Sequence, residues 1–176
     1  MMKTITLVLL SFTQLLAQSG NQELTRKTVL NRGCTIMLPT SFSALSADLI
    51  ELKYPNAGHR PAEVYSNVEG TINVALNHTQ SKTKPSDLPA VRKAMEAQFN
   101  RAPFQFIKSD LRSINGSDFV VLEFVSQAVD TKIYNLMAMG SLEGRLVIIT
   151  FNCTEPHRKQ WEHIGKEIIN SIALKK

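Results

Sequence analysis

The sequence predicts an α+β domain in which an antiparallel sheet packs against helices. Three observations predict it. Apolar residues alternate with polar ones in short segments, as where Ile72, Val74 and Leu76 flank Asn73 and precede Asn77, and a period of two is the signature of a half-buried strand. Two other segments place apolar residues at steps of three and four, Leu88-Val91-Met95-Phe99 and Trp161-Ile164-Ile168-Ile172, the spacing of one helix face. Between them lie four strand-like segments joined by short turns, and short connections impose antiparallel pairing.

The chain begins with Lys3, an apolar block Ile5–Leu10, a polar interruption at Ser11, Thr13 and Gln14, and then Leu15, Leu16 and Ala17 before the polar run Gln18–Asn21. A charged start, a short apolar middle and a small residue before a polar junction make a secretory signal peptide over residues 1–17. The apolar block is far shorter than the roughly 20 residues that cross a bilayer. The first cysteine is Cys34, too late to be a lipidated junction residue. The expected address is therefore periplasmic or secreted, in a bacterium, without a stable membrane anchor once the signal is removed. Residues 18–32 read as a polar, flexible lead-in, and 33–176 as one domain.

Within the domain, Cys34–Pro39 reads as a strand stopped by proline, and Asp48–Tyr54 as a second strand before the turn Pro55–Gly58. Ala62–Ser66 and Thr71–His78 follow as strands. Ser86 or Asp87 can cap a helix starting near Leu88-Pro89, with Arg92, Lys93 and Glu96 toward water. The meander is expected over Phe104–Leu111, Asp118–Val125, Thr131–Met139 and Arg145–Phe151, with Asn115-Gly116 as a hairpin turn. Glu123, between Leu122 and Phe124, reads as outward-facing. Thr154, Glu155 and Pro156 start the last helix.

The opening strand Ile36-Met37-Leu38-Pro39 before Phe42, and the ending Val147–Phe151 followed by Pro156, Trp161, Ile164 and Asn170-Ser171-Ile172, resemble the PsbP-like superfamily, in its bacterial exported branch. The resemblance implies an α/β/α sandwich with an antiparallel sheet between helices. It also implies an accessory, binding or chaperone-like role, and it carries over no metal-binding or partner-binding residue.

Composition narrows the chemistry. The sequence is 43% hydrophobic and 20% charged with a net charge of +5, an ordinary globular balance. Its Lys and Arg residues are scattered without a basic block, so no nucleic-acid partner is expected. There is no HExxH, P-loop, G-x-S-x-G or G-x-G-x-x-G. His59 and His78 read as solvated, and His157 and His163 fall on different faces of the last helix, so no metal site and no cofactor are expected. Cys34 and Cys153 can pair in an oxidising compartment or remain buried thiols, since pairing requires Cα atoms within about 7 Å.

Two segments could bind a ligand. The loop Tyr54–Pro61 carries Tyr54, His59 and Arg60, and the Met-rich strand Ile133–Met139 carries Tyr134, Met137 and Met139. Tyr134 and the two methionines would suit an apolar peptide or lipid if they line a groove, and would otherwise fill the core. The expected function is that of an exported, non-catalytic accessory or binding protein engaging a protein segment or an apolar ligand. Two alternatives are an exported thiol hydrolase using Cys153 and His157, and an envelope immunity or inhibitor protein.

Overall fold

The computed structural model describes residues 22–101 and 103–175, so the expected signal peptide lies outside the described residues. The order is β1 (Leu24–Val29), β2 (Cys34–Pro39), β3 (Ser43–Ala44), α1 (Ala47–Lys53), a 3-10 turn (Ala57–His59), β4 (Glu63–Ser66) and β5 (Ile72–Lys82). A second 3-10 turn (Pro85–Asp87), α2 (Leu88–Phe99), β6 (Phe104–Ile114), β7 (Ser117–Gln127), β8 (Lys132–Leu142), β9 (Arg145–Thr154), α3 (Glu155–Asn170) and β10 (Ala173–Leu174) complete it. The large sheet has seven strands in the order β3-β4-β5-β9-β8-β7-β6, and a small sheet has three in the order β1-β2-β10. Every pairing is antiparallel. The α+β class and the sheet packed by helices are as the sequence predicts.

Alternation along the strands divides the side chains of the large sheet between two layers. One face presents Ile72, Val74, Leu76, Phe119, Val121, Leu136, Ala138, Val147, Ile149 and Phe151, which join the α3 stripe and Ile36 and Leu38 of the small sheet in one core. The α3 stripe of Trp161, Ile164, Ile168 and Ile169 is buried. Each such side chain is worth about 1.5–3 kcal/mol on removal from water. Gly165 lets α3 approach this closely, because a Cβ there would collide with the ring of Phe151. The opposite face presents Val120, Leu122, Phe124 and Met139 to Leu88 and Phe99 of α2. This face is covered above β6 and β7, whereas α2 leaves β5 and β9 open.

The structure corrects five expectations. Residues 24–29 are not a loose lead-in: β1 pairs with all of β2, from Leu24 opposite Pro39 to Val29 opposite Cys34. Its outer face is wet, which makes Leu-Thr-Arg-Lys-Thr-Val read as polar, and its turn uses Leu30, Asn31 and Arg32 at φ of 51°, 52° and 68° rather than glycine. Asp48–Lys53 is helical rather than extended. Ser46 caps α1 by accepting from Leu49 N, and Ile50 alone is buried in it, so Leu49 and Leu52 mimic an alternation that no sheet uses.

Glu123 does not face water. It is 4% exposed and accepts a hydrogen bond of 2.9 Å from the Tyr134 hydroxyl, because β7 is covered on both faces. Arg92 and Glu96 do not simply face solvent either, since both bond to Ser109 of β6. His78 is half-buried, and its Nε2 donates to the Leu142 carbonyl at 2.9 Å. Of the two readings of the cysteines, the structure has the buried thiols: Cys34 and Cys153 are both free and buried. Cys34 sits in the small sheet opposite Val29, whereas Cys153 sits in the large sheet between Ile72 and Tyr134. Among the described residues no helix is long and apolar enough to cross a membrane.

Candidate functional site

Where α2 leaves the sheet uncovered, a cleft of about 350 Å³ opens over β5, β9 and β8. Its floor is set by strand register. Asn73, Asn152 and Asn135 stand side by side across three strands, and the next positions bring Ala75, Thr150 and Met137 together, then Asn77 and Ile148. Residues two apart on a strand share a face, so these rows all look out of the same side of the sheet. The wall comes from the segment after α1, through Tyr54, Gly58, His59 and Pro61.

That wall is held by the backbone. Asn56 Oδ1 accepts from Gly58 N at 3.0 Å and closes the 3-10 turn. Arg60 Nε donates to the Tyr54 carbonyl at 3.1 Å, and its Nη2 donates to Glu51 at 3.1 Å, so Arg60 braces the loop from behind rather than reaching into the cleft. Lys53 Nζ donates to the Gly70 carbonyl at 2.7 Å and to Asn73 Oδ1 at 2.8 Å, tying the end of α1 to the sheet. Burial lowers the Lys53 pKa. Burial likewise raises that of the Tyr54 hydroxyl, opposed by a hydrogen bond from Asn152.

Hydrogen bonds fix the orientation of each side-chain amide. Asn77 Nδ2 donates to the Arg60 carbonyl at 3.3 Å, and Asn135 Nδ2 donates to the Ile133 carbonyl at 2.9 Å and to Ser126 Oγ at 3.1 Å. Asn73 Nδ2 donates to the Gly70 carbonyl at 3.3 Å and to Asn152 Oδ1 at 3.1 Å, which turns the Asn152 amino group toward Tyr54 and the cleft. Among the described residues, no Lys, Arg, Asp or Glu side chain lines the cleft. The arrangement can hold a neutral, amphipathic molecule. Among the described residues, no hydrogen bond joins the His59 ring to a hydroxyl of the cleft.

Of the residues singled out by sequence, Tyr54, His59 and Met137 meet in this cleft. Tyr134 and Met139 do not. Tyr134 has the opposite parity and is fully buried, its ring under the Arg158 guanidinium at 4.6 Å. Burial, reinforced by the Glu123 carboxylate, raises the pKa of its hydroxyl. Met139 is 1% exposed beneath α2. The sequence reading missed Asn77, Asn135, Thr150 and Asn152. Their signal is faint: each is a polar residue at a strand position whose parity places it on the floor, visible only once the register of β5, β9 and β8 is known.

The pair offered for thiol catalysis is not activated. Cys153 is fully buried, and desolvation with Glu155 nearby pushes its thiol up to about 12, while Arg158 opposes the shift. A nucleophilic thiol needs the opposite environment.

No family model matches the chain, and no curated protein matches its sequence. The fold does have solved counterparts. The structure is similar to cyanobacterial PsbP (CyanoP) from Synechocystis sp. PCC 6803, with a TM-score of 0.62 at 15% identity over 89% of this chain and 95% of that one. It is similar to LpqN, involved in cell envelope biogenesis of Mycobacterium tuberculosis, with a TM-score of 0.51 at 12% identity over 90% and 94% of the two chains. It is also similar to a protein of Bacteroides thetaiotaomicron VPI-5482, with a TM-score of 0.52 at 12% identity over 86% of this chain and 48% of that one. At such identities the likeness is one of fold.

Proposed function

Because the chain carries a PsbP-like fold, we propose that it is an exported accessory or binding protein, without catalysis, whose ligand site is the cleft over β5, β9 and β8. The observation that carries this reading is the cleft itself. It is a concave site of about 350 Å³ with an apolar centre at Ala75, Met137 and Ile148 and a few hydrogen-bonding groups around it, which is the usual make-up of a binding pocket. The leader over residues 1–17 supports export. An envelope setting accords with the similar LpqN, a protein of cell envelope biogenesis. The inertness of Cys153 weighs against the thiol-hydrolase alternative.

Two measurements test the reading. Fractionation of cells producing the full chain should find it outside the cytoplasm, shortened by its leader. A cytosolic form with the leader intact overturns the address. A protein-observed NMR screen of small neutral amphipathic molecules should place hits at Ala75, Asn77, Met137 and Thr150. Hits gathered elsewhere, or turnover of an ester, peptide or glycan substrate, overturn the site or the non-catalytic role.

A further inference from the structure

The hydrogen-bond inventory of the cleft narrows its ligand, on the premise that the cleft is the binding site. The donors of Asn77 and Asn135 are spent on the protein: Asn77 Nδ2 goes to the Arg60 carbonyl, and Asn135 Nδ2 to the Ile133 carbonyl and Ser126 Oγ. Their Oδ1 atoms have no protein donor among the described residues, and neither does the Thr150 hydroxyl. Asn152 is turned the other way. Its Oδ1 accepts from Asn73, and its amino group is turned to Tyr54, which takes one hydrogen and leaves the other for the cleft. The cleft therefore offers acceptors at Asn135 and Asn77, a hydroxyl between them at Thr150, and a donor beside the first acceptor at Asn152.

Spacing adds the second constraint. The Asn73-Asn152-Asn135 row and the row holding Asn77 are four residues apart along β5, about 13 Å at the rise of an antiparallel strand. Between them the floor is Ala75, Thr150 and Met137, and Ile148 lies beside Asn77. A fatty chain would cover that floor but leave the acceptors at both ends desolvated and unpaired, which costs affinity. A sugar would press hydroxyls against the apolar middle. A charged ligand would meet no counter-charge among the lining side chains.

An extended peptide fits all three facts. It carries main-chain N–H donors and C=O acceptors at strand spacing, small side chains for the middle, and no charge. We infer that the cleft binds an extended peptide segment of about four residues with small uncharged side chains. Its N–H groups donate to Asn135 Oδ1, Thr150 Oγ1 and Asn77 Oδ1, and one carbonyl accepts from Asn152 Nδ2.

The probes are a capped Ala-Val-Ala-Ala tetrapeptide, its depsipeptide in which one N–H is replaced by an ester oxygen, and a chitin trimer, each titrated into the isotopically labelled chain from residue 18. The tetrapeptide should shift Ala75, Asn77, Met137, Thr150 and Asn152. The depsipeptide and the isosteric variant Thr150→Val should each weaken binding about three- to tenfold, the worth of one neutral hydrogen bond. Ala75→Trp, which fills the cleft, should abolish it, with the unchanged spectrum of the α3 face showing that the fold is kept. Equal binding of peptide and depsipeptide overturns the inference. Chitin trimer shifting the cleft residues where the peptide does not also overturns it, but leaves the cleft as a ligand site. Silence of the cleft toward all three probes removes both readings.

Discussion

The two sides of β8 and β9 belong to the same strands and differ by one residue of parity. On one side Tyr134, Leu136, Ala138, Ile149, Phe151 and Cys153 are sealed under α3 and the small sheet. On the other, Asn135, Met137, Ile148, Thr150 and Asn152 line an open cleft. The sealed side holds the stability and admits few polar groups: Glu123 Oε1 accepts from the Tyr134 hydroxyl at 2.9 Å, while its Oε2 is buried without a hydrogen bond, 3.7 Å from Lys108 Nζ. The open side tolerates amides and hydroxyls because water or a ligand can satisfy them. A mutation one position along either strand therefore moves from a problem of packing to a problem of binding.

The largest contrast should appear in thiol reactivity. Burial pushes both Cys34 and Cys153 up to about 12, against about 8.5 for a free cysteine. The thiolate fraction near pH 8 then falls roughly a thousandfold, and alkylation by iodoacetamide should slow by a similar factor in the folded protein relative to the urea-unfolded chain. Mass spectrometry after unfolding without reductant should find both thiols labelled. Rapid native labelling of Cys153 would reopen the hydrolase reading, and two unlabelled cysteines after unfolding would show a bridge.

Cavity-forming substitutions should separate the faces next. Phe151→Ala, on the sealed side, should cost about 3–5 kcal/mol in urea unfolding, whereas Met137→Ala, half-buried on the cleft floor, should cost about 1 kcal/mol. Similar costs for both would mean that the cleft is part of the core. A smaller version of the same test uses glycines. Gly165→Ala drives a methyl into Phe151 and should cost about 1–3 kcal/mol, while Gly58→Ala, whose Cβ meets only Asn56 Oδ1 at 3.4 Å, should be close to neutral.

The smallest effect concerns pH. On α3, Lys166 first and then Arg158 hold the Glu162 carboxyl below its ordinary value against a desolvation cost. A depressed folded pKa gives stability that is present above the unfolded carboxylate pKa of about 4.3 and lost as pH falls through the lower folded value. Glu162→Gln should therefore lower stability by a few tenths of a kcal/mol near pH 7, discounted for solvent screening, with the difference from the parent closing toward pH 3. A difference that persists in acid would locate the effect in helix packing instead.

Much of the fold was legible because it rests on local periodicity. The α2 stripe Leu88-Val91-Met95-Phe99, the α3 stripe from Trp161, the meander and the Asn115-Gly116 hairpin, at φ of 48° and 80°, stand where their spacing puts them. β1 and α1 were misread because each shows a single buried face too short or too wet to set a period. In the site, Tyr54, His59 and Met137 were found by residue type, whereas Tyr134 and Met139 were misplaced, although parity alone separates Tyr134 from Met137.

By itself the sequence determined the secondary structure that repeats, the α+β class and the expectation of export, since each follows from patterns within a few residues. Tertiary structure decided that α2 covers β6 and β7 but leaves β5 and β9 bare, and that an asparagine of β5 aligns there with two from the distant β8–β9 hairpin. The physical reason is that register and the lateral placement of a helix are set by contacts between segments far apart in the chain, and no local pattern of side chains encodes which half of a sheet will be left open.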